Sequence, residues 1–96
     1  MHSFDQIKAM LSATKNELAE RFRVSEIAVF GSYARNEQTP ESDIDILVEF
    51  SSPVGIEFID LGDYLEQVLD LRVDLVSRKG IKPTYFRQIE SDLKYV

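Results

Sequence analysis

The feature that most constrains the fold is an apolar run that begins with two carboxylates, Asp-Ile-Asp-Ile-Leu-Val at positions 43–48. Its apolar residues predict a strand over 44–50 that is buried on both faces. Side chains two apart on a strand share a face, so Asp43 and Asp45 project together while Ile44 faces the core. Two such carboxylates repel each other and lose hydration unless a positive charge joins them. A hard cation with oxygen ligands, above all Mg²⁺, is therefore expected there.

The remaining segments alternate between helical and strand-like patterns. Apolar spacing and turn residues predict, in chain order, a helix over 4–22, a strand over 26–30, a brief helical turn over 32–36, the strand over 44–50, a helix over 56–71, a strand over 72–77 and a last helix from Pro83. A capping box of Ser3 and Gln6 opens the first helix. This order predicts an α/β (α+β) domain in which helices flank a small mixed sheet.

Length and charge restrict the class of protein. We expect positions 1–96 to form one domain, because 96 residues suffice for a single core. The net charge of −6 argues against direct nucleic-acid binding and favours a basic protein partner. No apolar run approaches the roughly 20 residues that span a bilayer. The sequence has no signal-peptide pattern at its start and no cysteine, so we expect a cytoplasmic protein without membrane contact.

A third carboxylate, Asp74, lies between valine and leucine in the predicted third strand. If this strand neighbours the strand over 44–50, Asp74 completes a three-carboxylate cluster with Asp43 and Asp45 that can hold two metal ions. Asp74 could also accept a proton from an attacking hydroxyl. The alternative is that Asp74 forms a buried salt bridge with Arg72 or Arg78.

The turn after the first strand has the residues of a phosphate site. Gly31 lets a backbone approach a phosphate closely, and the N–H groups of the following turn are suited to an anion. Ser32 adds a hydroxyl donor, and Arg35 lies on the same side of the turn, where it could reach a phosphate oxygen. Each residue taken alone has an ordinary structural explanation, so the interpretation depends on their order before the Asp-Ile-Asp strand.

The motifs at 31–35 and 42–48 resemble the signature of the polymerase-β-like nucleotidyltransferase superfamily. Together with Asp74 and the Ile-Lys-Pro at 81–83, they look most like the minimal nucleotidyltransferases (MNT), the antitoxins of HEPN–MNT toxin–antitoxin pairs. The resemblance spans nearly the whole chain. One departure is Asn36, where the family commonly has glycine. Asn tolerates a left-handed backbone better than other non-glycine residues, so we expect the turn to be preserved.

The resemblance implies a mixed sheet flanked by helices, two Mg²⁺ ions and ATP as substrate. Asp43, Asp45 and Asp74 match the metal-binding catalytic acids, and Gly31 and Ser32 match the phosphate-contacting pair. Members of this kind transfer AMP from ATP to a tyrosine hydroxyl of their HEPN toxin, an RNase, and thereby silence it. The resemblance therefore implies an adenylyltransferase that forms a hetero-oligomer with a HEPN-family toxin.

Two other functions stay open at this stage. The chain could be a non-catalytic antitoxin that acts by occlusion, although the presence of all three acids argues against this. It could also be a small-molecule nucleotidyltransferase of the aminoglycoside type, but those enzymes normally carry an added helical domain for the acceptor. The basic residues Arg78, Lys79 and Lys82 could contact substrate or partner, and Tyr33 is expected to pack in the core.

Overall fold

The carboxylate-bearing strand lies inside a four-stranded mixed sheet. A computed structural model describes residues 2–96. Its elements in chain order are α1 (Phe4–Ala13), α2 (Lys15–Phe22), β1 (Val24–Phe30), β2 (Ile44–Phe50), α3 (Glu57–Leu69), β3 (Val73–Ser77), α4 (Pro83–Ile89), a 3-10 turn (Glu90–Asp92) and β4 (Lys94–Tyr95). None of the helices over these residues is both long and apolar enough to cross a membrane. The predicted α/β class is confirmed.

The strand order of the sheet is β3-β2-β1-β4. Strand β2 is antiparallel to β1 and parallel to β3, and β4 is antiparallel to β1. The parallel pair requires a crossover connection, which α3 provides. As a result, the starts of β2 and β3 meet the end of β1 at one edge of the sheet, and the chemically interesting residues of all three strands gather there.

Helices cover both faces of the sheet. The larger core joins α1, α2 and α3 to one face and includes Ile44 and Ile46 of β2. The smaller core lies on the other face, where Phe30 and Leu47 pack with residues of α4 and of the segments beside it. Strand β2 is therefore buried on both faces, as predicted. Because Asp45 precedes Leu47 by two residues, it lies on the face that α4 covers.

The predicted leading helix is present but broken into two. Its capping box forms as expected: the Gln6 backbone N–H donates to Ser3 Oγ at 3.2 Å, and the Ser3 N–H donates to Gln6 Oε1 at 2.8 Å. The continuous helix is wrong at Thr14, whose hydroxyl donates to the Leu11 carbonyl at 2.9 Å. Such local bonds compete with the helical ladder. Leu11 and Leu18 still share one core, so the apolar stripe continues across the break.

The segment after β1 forms the predicted helical turn, which does not continue into a helix. The Arg35 N–H donates to the Gly31 carbonyl at 3.1 Å, and the Glu37 N–H donates to the Ser32 carbonyl at 2.9 Å. Asn36 has a φ of +61°, the left-handed conformation expected for the residue that stands where the family commonly has glycine. The turn is therefore preserved despite the substitution.

The other boundaries of helices and strands differ from the predicted ones by two residues or fewer. Strand β4 was not predicted. It has only two residues, which pair with Val29 and Ala28 of β1. A segment this short carries no alternation that a sequence pattern could reveal.

Asp70, which follows the last residue of α3, is in an unfavourable position. It has the left-handed φ of +53° and ψ of +44°, and its carboxylate lies at the negative end of the helix dipole. We therefore expect Asp70→Gly to raise the free energy of unfolding in urea by about 1 kcal/mol. The matched control Asp63→Gly, in the exposed interior of α3, should lower it by roughly 0.3 kcal/mol. Changes of the same sign would contradict this expectation.

Candidate active site

The predicted carboxylates meet at the edge of the sheet where β1 ends. In the sheet register, Asp45 is the partner of Phe30 on β1 and of Asp74 on β3. The condition set by the sequence, that the strands of Asp45 and Asp74 are neighbours, is therefore fulfilled. Asp43 lies just before β2. Asp45 and Asp74 thus lie side by side on neighbouring strands, and Asp43 immediately precedes the strand of Asp45.

The half-buried Asp45 is the electrostatic centre of the site. The pKa of its carboxyl is raised from 3.8 to about 6. Burial is the largest cause, and the charge of Asp74, a hydrogen bond with Asp74 and the charge of Asp43 also contribute. The positive charge of Arg35 acts in the opposite direction. At neutral pH the Asp45 carboxylate is charged but poorly compensated. A bound cation would remove this penalty.

Asp43 and Asp74 have different environments. Asp43 Oδ1 accepts from Arg72 Nε at 3.0 Å, and both side chains are exposed. The alternative of a buried salt bridge between Asp74 and Arg72 or Arg78 is wrong, because Asp74 is exposed. Arg72 contacts Asp43 instead. The guanidinium of Arg78 stacks 3.8 Å from the ring centre of Phe86. An exposed carboxylate beside Asp45 remains available for a ligand.

The donors of the site fit a hard cation. Asp45 and Asp74 offer adjacent carboxylate oxygens, and burial together with the neighbouring negative charges raises the pKa of Asp45. Within residues 2–96, no three acidic, histidine or cysteine side chains have the arrangement of a formed metal site. Asp43 instead pairs with Arg72. The gathering of all three carboxylates around Mg²⁺ stays a prediction.

Gly31 packs directly against Asp45. Its φ is +73°, and a Cβ at this position would overlap with Asp45 Oδ2, so any other residue meets both backbone strain and a steric clash. Ser32 follows in the same turn and is half-buried. The turn predicted to bind phosphate is therefore in contact with the predicted metal ligand. Contacts of Gly31 and Ser32 with a phosphate stay predictions.

Arg35 is held by two carboxylates. Its Nη1 lies 2.6 Å from Asp92 Oδ2 and its Nε lies 2.9 Å from Glu37 Oε1. Both partners raise the pKa of Arg35, and Arg35 in turn lowers that of Asp45, so its charge reaches the site. The sequence predicted a phosphate contact for Arg35 and missed both partners. In the observed geometry, a phosphate would have to compete with them.

Tyr85 of α4 also belongs to this site, although the sequence did not point to it. Its ring meets the ring of Phe30 edge-on, with the centroids 6.3 Å apart and the planes at 79°. Phe30 is the register partner of Asp45. Tyr85 precedes the buried Ile89 by four residues and therefore shares its side of the helix. This spacing is the signal that could have placed Tyr85 beside the sheet.

The remaining candidates lie elsewhere. Tyr33 is buried in the larger core, as expected. Arg78 and Lys79 are exposed in the turn after β3, at the end of that strand opposite to Asp74. They line an open groove of about 810 Å³ together with residues 51–54. Lys82 is exposed just before α4. The groove does not include Asp43, Asp45 or Asp74.

The chain is similar in sequence to known proteins. Residues 11–96 match the model of the nucleotidyltransferase domain family. A Methanocaldococcus jannaschii protein that has been assigned as a protein adenylyltransferase is 50% identical over 98 residues, with 100% of each chain covered. Protein adenylyltransferase MntA of Thermococcus cleftensis is 45% identical over 97 residues, which cover 100% of this chain and 98% of MntA.

Solved structures give a similar result. A structure assigned to a minimal nucleotidyltransferase superposes with a TM-score of 0.82 at 31% identity, covering 97% of this chain and 95% of the other. A chain from the crystal structure of a toxin–antitoxin with AMP-PNP superposes with a TM-score of 0.72 at 28% identity, covering 86% of this chain and 69% of the other. The arrangement of helices and strands is therefore shared with these proteins.

Replacing Asp45 with Asn should stabilise the metal-free protein. The carboxyl titrates near 3.8 in the unfolded chain and near 6 in the folded one, so between these values the folded chain binds more protons and stability falls as the pH rises. At pH 7 we expect Asp45→Asn to gain about 1 kcal/mol, with the partial exposure of the carboxyl taken into account. Urea denaturation in EDTA measures this. The gain should vanish below about pH 4, whereas Asp63→Asn on α3 should show no such dependence.

Ligand binding should raise the melting temperature of the wild-type protein. Mg²⁺ with a non-hydrolysable ATP analogue is expected to stabilise the folded state by mass action, and Asp45→Asn should lose this gain. Differential scanning fluorimetry with Mg²⁺ alone and with the analogue alone provides the controls. An unchanged melting temperature of the wild-type protein with both ligands would argue against a nucleotide site at these carboxylates.

Proposed function

Because the chain belongs to the nucleotidyltransferase domain family, we propose that it is a Mg²⁺-dependent enzyme that transfers AMP from ATP to a tyrosine hydroxyl of a partner toxin. Family membership confirms the prediction of a nucleotidyltransferase. In this proposal the partner is a HEPN-type RNase, which is silenced by the modification and forms a hetero-oligomer with the present chain. The resemblance of the sequence to MNT antitoxins supports this choice of partner.

The single observation that carries the proposal is the position of Asp45. Its half-buried carboxylate stands beside Asp74 and against Gly31, so one residue joins the acidic pair to the turn suited to phosphates. The positive φ of Gly31 alone would favour glycine in a structural turn, but such a turn does not need a half-buried carboxylate of raised pKa in the space of the missing side chain. A site that takes a cation and a polyphosphate together explains both features.

Asp43, Asp45 and Asp74 are the residues that would hold two Mg²⁺ ions. Such ions, when bound, neutralise phosphate charge and lower the pKa of an attacking hydroxyl. Asp45 and Asp74 are already adjacent. Asp43 is exposed, and its ionic contact in residues 2–96 is with Arg72, which is also exposed. Such surface pairs are weak enough to exchange.

The turn after β1 would bind the triphosphate. Gly31 allows a phosphate to approach the backbone without a side chain in the way, and Ser32 supplies a hydroxyl donor. Arg35 contributes the positive charge that lowers the pKa of Asp45. By turning from Asp92 to a phosphate oxygen, it would exchange one charged acceptor for another.

The transfer itself is an in-line displacement. The acceptor tyrosine oxygen attacks the α-phosphorus of ATP, the bond to the β-phosphate oxygen breaks, and pyrophosphate leaves. A tyrosine hydroxyl has a pKa near 10, so its proton needs an acceptor at neutral pH. We assign this role to Asp74, and the position of its exposed carboxylate beside Asp45 supports the assignment. Holding the reactants in this orientation supplies much of the rate.

Charge and comparison support a toxin as the acceptor. The chain carries a net charge of −6, which complements a basic protein such as an RNase. One structurally similar chain comes from a toxin–antitoxin that was crystallised with AMP-PNP. We place the reaction in the cytosol, where ATP is available.

A transfer assay with labelled ATP, Mg²⁺ and a toxin encoded by a neighbouring gene tests the proposal. Wild-type protein should transfer label to a toxin tyrosine, and Asp45→Asn and Asp74→Asn should each reduce transfer by about a hundredfold or more, because charge stabilisation in the transition state is lost. Asp63→Asn removes an exposed carboxylate of α3 outside the site and serves as the matched control. Tryptic mapping of the toxin identifies the acceptor residue.

Two outcomes would overturn the proposal. Absence of label on the toxin with wild-type protein would exclude the transfer activity. Full protection from the toxin by the Asp43→Asn, Asp45→Asn double variant, in a growth assay, would show that neutralisation works by occlusion and needs no chemistry.

A further inference from the structure

The four tyrosines of the chain differ in their access to the site. Tyr33 is 1% exposed in the larger core. Tyr64 packs against Phe22, with the ring centroids 5.0 Å apart, on the face of the sheet opposite to the carboxylates. Tyr95 is 55% exposed, but it lies on β4 and is separated from Asp45 by the whole of β1. Only Tyr85, 39% exposed, is a solvent-accessible phenol beside the carboxylates.

The position of Tyr85 follows from the sheet register. Phe30, Asp45 and Asp74 are consecutive partners across β1, β2 and β3, and cross-strand partners project to the same face. Tyr85 rests edge-on against Phe30, on this same face. The Tyr85 ring therefore contacts Phe30, which is the first residue in the row of cross-strand partners that contains both carboxylates.

The electrostatics support this proximity. Burial raises the pKa of Tyr85, and the negative charges of Asp45 and Asp74 raise it further. Burial alone raises the pKa of Tyr33. The phenol of Tyr85 thus lies within the electric field of the two carboxylates and is protonated at neutral pH.

From this geometry we propose that Tyr85 is itself an AMP acceptor, modified in cis by the site that it adjoins. This inference rests on the proposed function, because it uses the same transfer reaction. Tyr85 Oη forms a bond to the α-phosphorus of a nucleoside triphosphate, the bond to the β-phosphate oxygen breaks, and pyrophosphate leaves. The phenolic proton passes to Asp74, which stands next to Asp45 on this face.

Self-modification would compete with modification of a partner. A phenol attached to the same fold reacts as an intramolecular group, whose effective concentration exceeds that of a free protein. The AMP group would then occupy space beside Asp45 and Asp74. The chain without its partner accumulates the modified form, and the partner's acceptor must reach the site before Tyr85 reacts.

Mass spectrometry of the intact chain tests the inference. Protein as purified from cells, and protein incubated with ATP and Mg²⁺ without a partner, should carry the mass of one AMP group, and peptide mapping should locate it on Tyr85. Tyr85→Phe should reduce this labelling by about tenfold or more, because the oriented acceptor is lost, whereas Tyr95→Phe should retain it within about twofold. Asp45→Asn should abolish it.

A mixing experiment tests the cis assignment. Asp45→Asn chains retain Tyr85 but lack the reaction, and Tyr85→Phe chains retain the reacting carboxylates. Their mixture should show no label on Tyr85 if each chain modifies only itself. Label on the Asp45→Asn chain would overturn the cis assignment.

The remaining outcomes separate this inference from the proposed function. A labelled toxin with an unlabelled Tyr85, or a self-label located on another residue, would overturn the inference and leave the proposed function standing. Absence of label on both the toxin and this chain would overturn the proposed function, and the inference with it.

Discussion

The close contact between Gly31 and the carboxylate of Asp45 determines how the site is built. The side chain of Asp45 occupies the space that a Cβ at position 31 would need, with its Oδ2 atom nearest. This approach depends on the antiparallel register of β1 and β2, which pairs Phe30 with Asp45. The turn and the acidic strand are therefore in direct contact, and a side chain at position 31 would displace the Asp45 carboxylate.

The topology of the sheet adds the second carboxylate. The parallel pairing of β2 and β3, with α3 as the crossover, brings Asp74 to the same level as Asp45. Because Asp45 is half-buried while Asp74 is exposed, the two acids differ in character although they are neighbours. A pair of this kind has one member fixed by packing and one member free to meet a ligand.

Much of this arrangement was predictable, because local patterns determine it. The apolar run over 44–50 predicted the strand, the two-residue spacing of Asp43 and Asp45 predicted that they share a face, and Gly31 predicted the turn. Contacts between distant segments were not predictable. The pairing of Asp43 with Arg72, for example, joins two exposed side chains that lie far apart in the sequence, and no local pattern indicates it. The break at Thr14 depends on one hydroxyl bond, which competes with a helix that the apolar pattern alone would continue.

The ion pair of Arg35 with Asp92 spans 57 positions of the sequence and ties the turn after β1 to the segment that leads into β4. If Arg35 turns to a phosphate, this tether is released. Under the proposed function, nucleotide affinity and the strength of this contact would then change each other by the same free energy. Ionic strength acts on the same balance, because dissolved salt screens this partly exposed pair. The contact between Arg35 and Asp92 would in that case report whether a phosphate occupies the turn.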